Sequence, residues 1–291
     1  MAAHPWPTTP RLLRWRYLST ATQNEREYFV YLSPGHGDEP TSRWPVLLFL
    51  HGGGERGDGL ADLDWVLCHG PLAEAWLQRR DLPFIILSPQ LPLFDQVDQV
   101  SMRADFTRPD PAAPEIQPRP QADRPPQPMV RAVDPTPSIY GVTEAWGIDG
   151  APGGWQHCTD DLLGMVDAAL AGLNGDPDRV YLTGLSYGGY GTWHLATTHP
   201  ERWAAVAPLC GGGNPAHVGP MAKMQLPTWI FHGGRDPVVK VEWSYGMAAA
   251  LEAAGHTSVR LTVHEDLGHD VWTRVYAGED LYRWLLRQKR R

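Results

Sequence analysis

Six short apolar runs, spaced along the 291 residues and mostly separated by stretches with helical periodicity, constrain this chain most. The runs are Val46–Leu50, Phe84–Leu87, Val180–Thr183, Ala204–Ala207, Thr228–Phe231 and Val259–Val263. Each is too short for a helix and too continuously apolar for a strand with one wet face, so each reads as a strand buried on both faces. Helical spacing of apolar residues predicts helices over about 71–80, 161–173, 188–198 and 242–254, with a last one within 270–287. Alternating strands and helices specify a parallel sheet covered by helices on both faces. Residues 14–19 and 25–32 instead alternate apolar and polar, which predicts two antiparallel strands at the start of a mixed sheet. The expected fold is α/β, with all 291 residues in one domain.

One stretch breaks the pattern. Ten of the 28 prolines lie between Asp105 and Pro137, among mixed charges and few apolar residues. Such a segment buries too little surface to offset its ordering entropy, and its X-Pro units favour extended backbone. Residues 93–150 therefore read as one Pro-rich insertion within the domain, either a disordered loop or a lid over a site. The net charge of −8 (25 basic against 33 acidic residues) argues against a nucleic-acid partner. Two charge-free stretches, 180–200 and 203–222, are too rich in Gly, Pro, His and Asn to span a membrane. No signal peptide is visible, and Cys68, Cys158 and Cys210 show no CxxC spacing. That combination suits free buried thiols, no metal site and a cytoplasmic protein, with a secreted mature form left open. Nothing in the sequence sets the oligomeric state.

The chemistry concentrates after the runs. Gly184-Leu185-Ser186-Tyr187-Gly188 follows one strand and opens a helix, where a G-x-S-x-G turn presents a serine hydroxyl at a sharp bend. A Cβ at Gly184 or Gly188 is expected to collide with neighbouring elements. A serine nucleophile needs an imidazole base, and the base needs a carboxylate to hold its tautomer. Asp236 follows the Thr228–Phe231 strand and His269 the Val259–Val263 strand, so both sit where an open α/β sheet collects its ligands. His264 is expected to be fixed by its strand and His256 to lie at the opposite sheet end. His232 and His51 are expected to pack structurally. Glu265, Asp266 and Asp270 stand too near His269 in sequence to reach behind its ring. A tetrahedral oxyanion needs two N–H donors: Tyr187, after the nucleophile, and the Gly-rich loop 51–57. Gly53 is the first choice in that loop, with Gly54 and Gly52 as alternatives. The loop lacks the lysine and spacing of a phosphate cradle, and Glu55 and Arg56 are expected to brace it. Trp272, Tyr187 and Trp155 are candidates for the substrate pocket.

Four blocks in order carry a family resemblance. Residues 49–58 (FLHGGGERGD), 182–193 (LTGLSYGGYGTW), 231–239 (FHGGRDPVV) and 268–272 (GHDVW) are similar to those of dienelactone-hydrolase-like and prolyl-oligopeptidase-like serine esterases of the α/β-hydrolase superfamily. Feruloyl and acetyl xylan esterases of carbohydrate esterase family 1 and polyhydroxybutyrate depolymerase-like proteins are related to that group. The resemblance spans roughly residues 14–92 and 155–287. It implies cofactor-free hydrolysis of carboxylic esters through an acyl-enzyme, with Ser186, Asp236 and His269 as the triad and a small-molecule or carbohydrate-linked ester as substrate. Tyr187 stands where these proteins commonly have methionine, and the Pro-rich insertion is foreign to their compact members. A peptidase or amidase of the same fold and a non-catalytic binding protein are the alternative readings.

Overall fold

The apolar runs form the centre of one eight-stranded sheet. The computed structural model describes residues 9–37, 41–94, 106–112, 151 and 153–290. Strands β1 (Arg11–Leu18), β2 (Glu25–Leu32), β3 (Trp44–Leu50), β4 (Ile85–Pro89), β5 (Gly175–Leu185), β6 (Ala205–Leu209), β7 (Thr228–Gly233) and β8 (Val259–His264) lie in the order β1-β2-β4-β3-β5-β6-β7-β8. β1 pairs with β2, and β2 with β4, in antiparallel register. Every other neighbouring pair is parallel. The mixed parallel sheet expected from the alternation is the observed one.

The helices are α1 (Gly70–Leu72), α2 (Thr159–Gly172), α3 (Tyr187–Thr198), α4 (Gly219–Met224), α5 (Val241–Ala253), α6 (Trp272–Ala277) and α7 (Asp280–Leu286). Successive strand residues point to opposite faces, so the sheet has two cores. Val46, Leu48 and Leu50 of β3 pack with Leu162 and Val166 of α2, Trp193 of α3 and Met247 of α5. Leu47 and Phe49 pack on the other face with Leu72, Tyr276, Tyr282 and Leu285. Strand order reverses between β3 and β5, which go to β4 and β6 respectively. That reversal opens a crevice at their carboxyl ends, the place where open α/β sheets bind ligands.

Three local expectations need correction. The helix expected over 71–80 is a single α-helical turn followed by a π-helical one, Ala73–Leu77. Its entry is fixed by Gly70, at φ +91°, where an added Cβ would stand 2.1 Å from the Phe49 ring. The last helix is two, because the chain turns extended at Gly278 (ψ 170°). β5 begins at Gly175, five residues before its apolar run, with a register shift opposite Trp44 and Val46. Most of the 93–150 insertion lies outside the described residues. Its longer described piece, 106–112, is held by bonds from Trp76 Nε1 to the Pro111 carbonyl (2.9 Å) and from Cys68 Sγ to the Thr107 carbonyl (3.6 Å). Among the described residues no helix is long and apolar enough to cross a membrane. None of the three cysteines is in a disulfide; Cys158 and Cys210 are buried, while Cys68 is only half-buried.

Candidate active site

Ser186 stands between β5 and α3 with φ 53° and ψ −115°, in the left-handed region that a residue with a Cβ avoids. Two glycines make that bend packable. A Cβ on Gly188 would lie 1.8 Å from the Leu50 carbonyl oxygen, and one on Gly184 would lie 2.3 Å from that of Gly188. The elbow is thus pressed against the end of β3, with the strained serine lifted between them. Its N–H donates to the Leu209 carbonyl (3.0 Å) and its carbonyl accepts from Tyr190 N–H (3.0 Å).

The loops after β7 and β8 reach the same point. Ser186 Oγ is 3.0 Å from His269 Nε2, and His269 Nδ1 is 2.7 Å from Asp236 Oδ2. Asp236 Oδ1 accepts from the backbone N–H groups of Val238 (2.8 Å) and Val239 (2.9 Å). The two loops are locked together: Arg235 N–H donates to the Leu267 carbonyl (2.9 Å), and a Cβ on Gly233 would meet the Gly268 oxygen at 1.9 Å. Three residues separated in sequence by 236 − 186 = 50 and 269 − 236 = 33 positions are thereby brought into one hydrogen-bonded line.

Asp236 is buried, and burial alone would raise its pKa. Hydrogen bonds from His232 and His269 outweigh that and hold the carboxyl well below the usual carboxylate range. His232 Nε2 is 3.2 Å from Asp236 Oδ2 and 2.9 Å from the Val239 carbonyl, and its Nδ1 is 2.7 Å from Ser244 Oγ. His232 is structural, as the sequence suggests, but it also braces the acid directly. Ser244, on α5, is a supporting residue that the sequence reading missed; its position three residues into a helix gave no signal.

The Gly-rich loop closes over the elbow, where a Cβ on Gly52 would lie 3.6 Å from Ser186 Cβ. His51 is wholly buried and orients this loop. Its Nε2 accepts from Leu91 N–H (2.9 Å), so Nδ1 carries the proton and donates to the Gly52 carbonyl (2.6 Å). A trans peptide sets its C=O and N–H in opposite directions, so this bond turns the Gly53 N–H away from the His51 ring. Arg56 is buried too. Its Nε donates to the Gly53 carbonyl (3.0 Å), and its guanidinium lies 4.8 Å from the Tyr187 ring centre. Gln90 Nε2 donates to the Glu55 carbonyl (2.8 Å). Arg56 braces the loop as expected, and it does so from the side of the elbow.

The three pocket candidates have different places. Trp272 is half-buried, edge-on to His269 with ring centres 5.1 Å apart. Tyr187 is buried against Arg56. Trp155 is 1% exposed; it donates to the His51 carbonyl (3.1 Å) and packs against α3 at Gly191. It backs the Gly-rich loop from within the core and does not face solvent beside Ser186. Of the other histidines, His264 is buried beside Arg274, and burial followed by that charge pushes its pKa down to about 4. His256 bonds the Leu226 carbonyl (2.8 Å). Asp266 pairs with Arg274 (2.7 Å).

Cys210, expected only as a buried thiol, also stands at the site. It follows β6, and its Sγ, the Asp236 carboxylate and a His269 nitrogen lie within 4.8 Å of one another. Burial, with the nearby Asp236 charge, pushes the thiol pKa well up. A protonated thiol beside an acid and base already bonded to each other is a poor metal ligand set.

A model of the prolyl oligopeptidase family matches residues 141–216, about a quarter of the chain, including the elbow. The chain is 33% identical over 106 residues to a putative esterase, NocK, of Nocardia uniformis subsp. tsuyamanensis, covering 34% of this chain and 30% of that protein. It is 34% identical over 146 residues to a poly(3-hydroxyoctanoate) depolymerase of Pseudomonas fluorescens, covering 46% of this chain and 51% of that protein. The chain thus spans a third to a half of these curated relatives. Among solved structures, a thermostable esterase superposes with a TM-score of 0.62 at 25% identity, over 96% of this chain and 63% of that one. With the strand order β1-β2-β4-β3-β5-β6-β7-β8, a serine elbow after β5 and these neighbours, the chain has the α/β-hydrolase fold.

Proposed function

We propose that the protein is a serine carboxylic-ester hydrolase. The observation that carries this reading is the unbroken line Ser186 Oγ to His269 Nε2 (3.0 Å) to Asp236 (2.7 Å) at the topological switch of the sheet. In this reading His269 Nε2 takes the proton of Ser186 Oγ as the oxygen attacks the ester carbonyl. Asp236 keeps the Nδ1–H tautomer and stabilises the imidazolium. The tetrahedral oxyanion is held by the N–H groups of Tyr187 and Gly53. Tyr187 heads α3, where first-turn amides have no partner within the helix; the His51 and Arg56 bonds support the orientation of the Gly53 loop. Collapse of the intermediate returns the proton to the leaving alcohol, and water then releases the acid by the same steps.

The similarity to an esterase and to a polyester depolymerase supports esters as the substrate class. The match to the prolyl oligopeptidase model favours peptide bonds as the second reading. The free thiols fit a reducing, cytoplasmic setting. Turnover of p-nitrophenyl acetate beside a panel of peptide nitroanilides separates the two. Ester turnover that is lost in Ser186→Ala, with an unchanged melting profile, is the expected result. Activity retained in that variant refutes the assignment of the nucleophile, and nitroanilide turnover exceeding ester turnover moves the reading to a peptidase.

A further inference from the structure

Two buried nitrogens beside the triad have no hydrogen-bond partner among the described residues: His69 Nε2 and Trp272 Nε1. Buried polar atoms are nearly always paired; these two belong to rings in contact with each other beside the catalytic base, and that placement points to a ligand. His69 immediately precedes α1, and Trp272 opens α6. Their rings are 5.5 Å apart, and the Trp272 ring is 5.1 Å from that of His269. The Phe106 ring, carried by the Pro-rich insertion, lies edge-on to His69 at 5.1 Å.

The two atoms differ in kind. An indole N–H only donates. Burial pushes the His69 pKa down to about 4, against a hydrogen bond to the Cys68 backbone and the charge of Asp270, so the ring is neutral near pH 7. The Cys68 bond favours the protonated ring, so the backbone group is an acceptor, its carbonyl. In the tautomer with the hydrogen on Nδ1, Nε2 presents a lone pair. In that tautomer the site offers one donor and one acceptor. A carbonyl or carboxylate only accepts and an ammonium only donates; a hydroxyl does both from a single atom.

We propose that His69 Nε2 and Trp272 Nε1 form a subsite for an aliphatic hydroxyl of the substrate, accepting from its O–H and donating to its oxygen. The subsite lies within two ring contacts of the catalytic base. This inference rests on the esterase reading above. The same chemistry serves a hydroxyl on the acyl half or on the alcohol half of the ester.

The test uses near-isosteric pairs, in which a hydroxyl replaces a methyl. Ethyl 3-hydroxybutanoate against ethyl 3-methylbutanoate probes the acyl half; 2-hydroxyethyl butanoate against propyl butanoate probes the alcohol half. For the unsubstituted enzyme, kcat/KM for the hydroxy ester is expected to exceed that of its methyl partner by roughly tenfold or more on one arm, which identifies the half. His69→Phe and Trp272→Phe are each expected to reduce that ratio about tenfold, whatever they do to the absolute rates. A ratio at or below one on both arms in the unsubstituted enzyme overturns the subsite. So does a ratio that persists in either variant. If one variant fails to fold, the unsubstituted ratio and the other variant decide. Ratios at or below one on both arms, with p-nitrophenyl acetate still turned over by the unsubstituted enzyme, sink the subsite and spare the serine-esterase reading. Failure of every ester, p-nitrophenyl acetate included, refutes the serine-esterase reading and the subsite with it.

Discussion

Replacing Gly188 by alanine tests the elbow directly, because the methyl group has nowhere to go. Its Cβ would lie 1.8 Å from the Leu50 oxygen, 2.4 Å from the Leu50 carbonyl carbon and 2.8 Å from the His51 oxygen. Real Cβ atoms essentially never come closer than 3.0 Å to such neighbours, so at least 3.0 − 1.8 = 1.2 Å must open between α3 and the end of β3. All three obstructing atoms are backbone, and no rotamer change relieves them. Overpacking of a core costs about 1–3 kcal/mol, and backbone against backbone belongs at or above the upper end. At ~2–4 °C per kcal/mol this lowers Tm by roughly 6 °C or more. The displacement falls on Ser186 and on the His51–Gly53 loop together. A shift of about 1 Å in a reacting group costs on the order of 100-fold in rate. Gly164, within α2, is the comparator: nothing lies within 4 Å of its added Cβ. Gly164→Ala is expected to raise stability by about 1 kcal/mol through helix propensity and leave the rate unchanged. Thermal melts and the rate of fluorophosphonate labelling read both variants. A Gly188→Ala protein that melts and labels like the parent refutes the close approach of the two backbones, and with it the account of the bend.

Three further outcomes follow from the site. Asp236→Asn keeps the shape but donates where it should accept, so kcat is expected to fall about 10³–10⁴-fold; a loss under tenfold, with folding intact, means the carboxylate does not set the tautomer. Arg56→Met removes the guanidinium from the Gly53 carbonyl and the Tyr187 ring; kcat is expected to drop roughly 10–100-fold with KM little changed, and the converse split places Arg56 on the substrate instead. His264 has its folded pKa pushed below the unfolded 6.5 to about 4, by burial and then Arg274. The unfolded chain therefore binds the proton first, and stability is lost as pH falls from about 6.5 towards 4, by up to about 3 kcal/mol. Urea melts of the parent and of His264→Asn are expected to diverge less at pH 4.5 than at pH 7.5; parallel curves across that range refute it.

Much of the fold was legible in the sequence because burial on both faces leaves a continuous apolar run that polar neighbours cannot imitate. Val46–Leu50 and Thr228–Phe231 were readable for that reason. The region 71–80 departs from a regular α-helix although its pattern suggests one, because Leu72, Ala75, Trp76 and Leu77 satisfy a helical period equally well in α and π turns; Gly70 packed on Phe49 decides how the segment enters. The splitting of the last helix turned on Gly278, whose weak helix propensity becomes a break only where the next segment packs on its own.

The sequence by itself determined the order of the elements and the residue types at their ends: a glycine-flanked serine, an acid and a histidine after successive strands. That follows from local chemistry, since turn geometry and periodicity act over a few residues. Only the tertiary structure decided what lies behind and beside them. Ser244 behind His232, Arg56 spanning from Gly53 to Tyr187, Trp155 turned into the core, and the paired orphan nitrogens of His69 and Trp272 all depend on contacts between distant segments. Such contacts are set by how two faces of a sheet fill with side chains, and no local pattern records them.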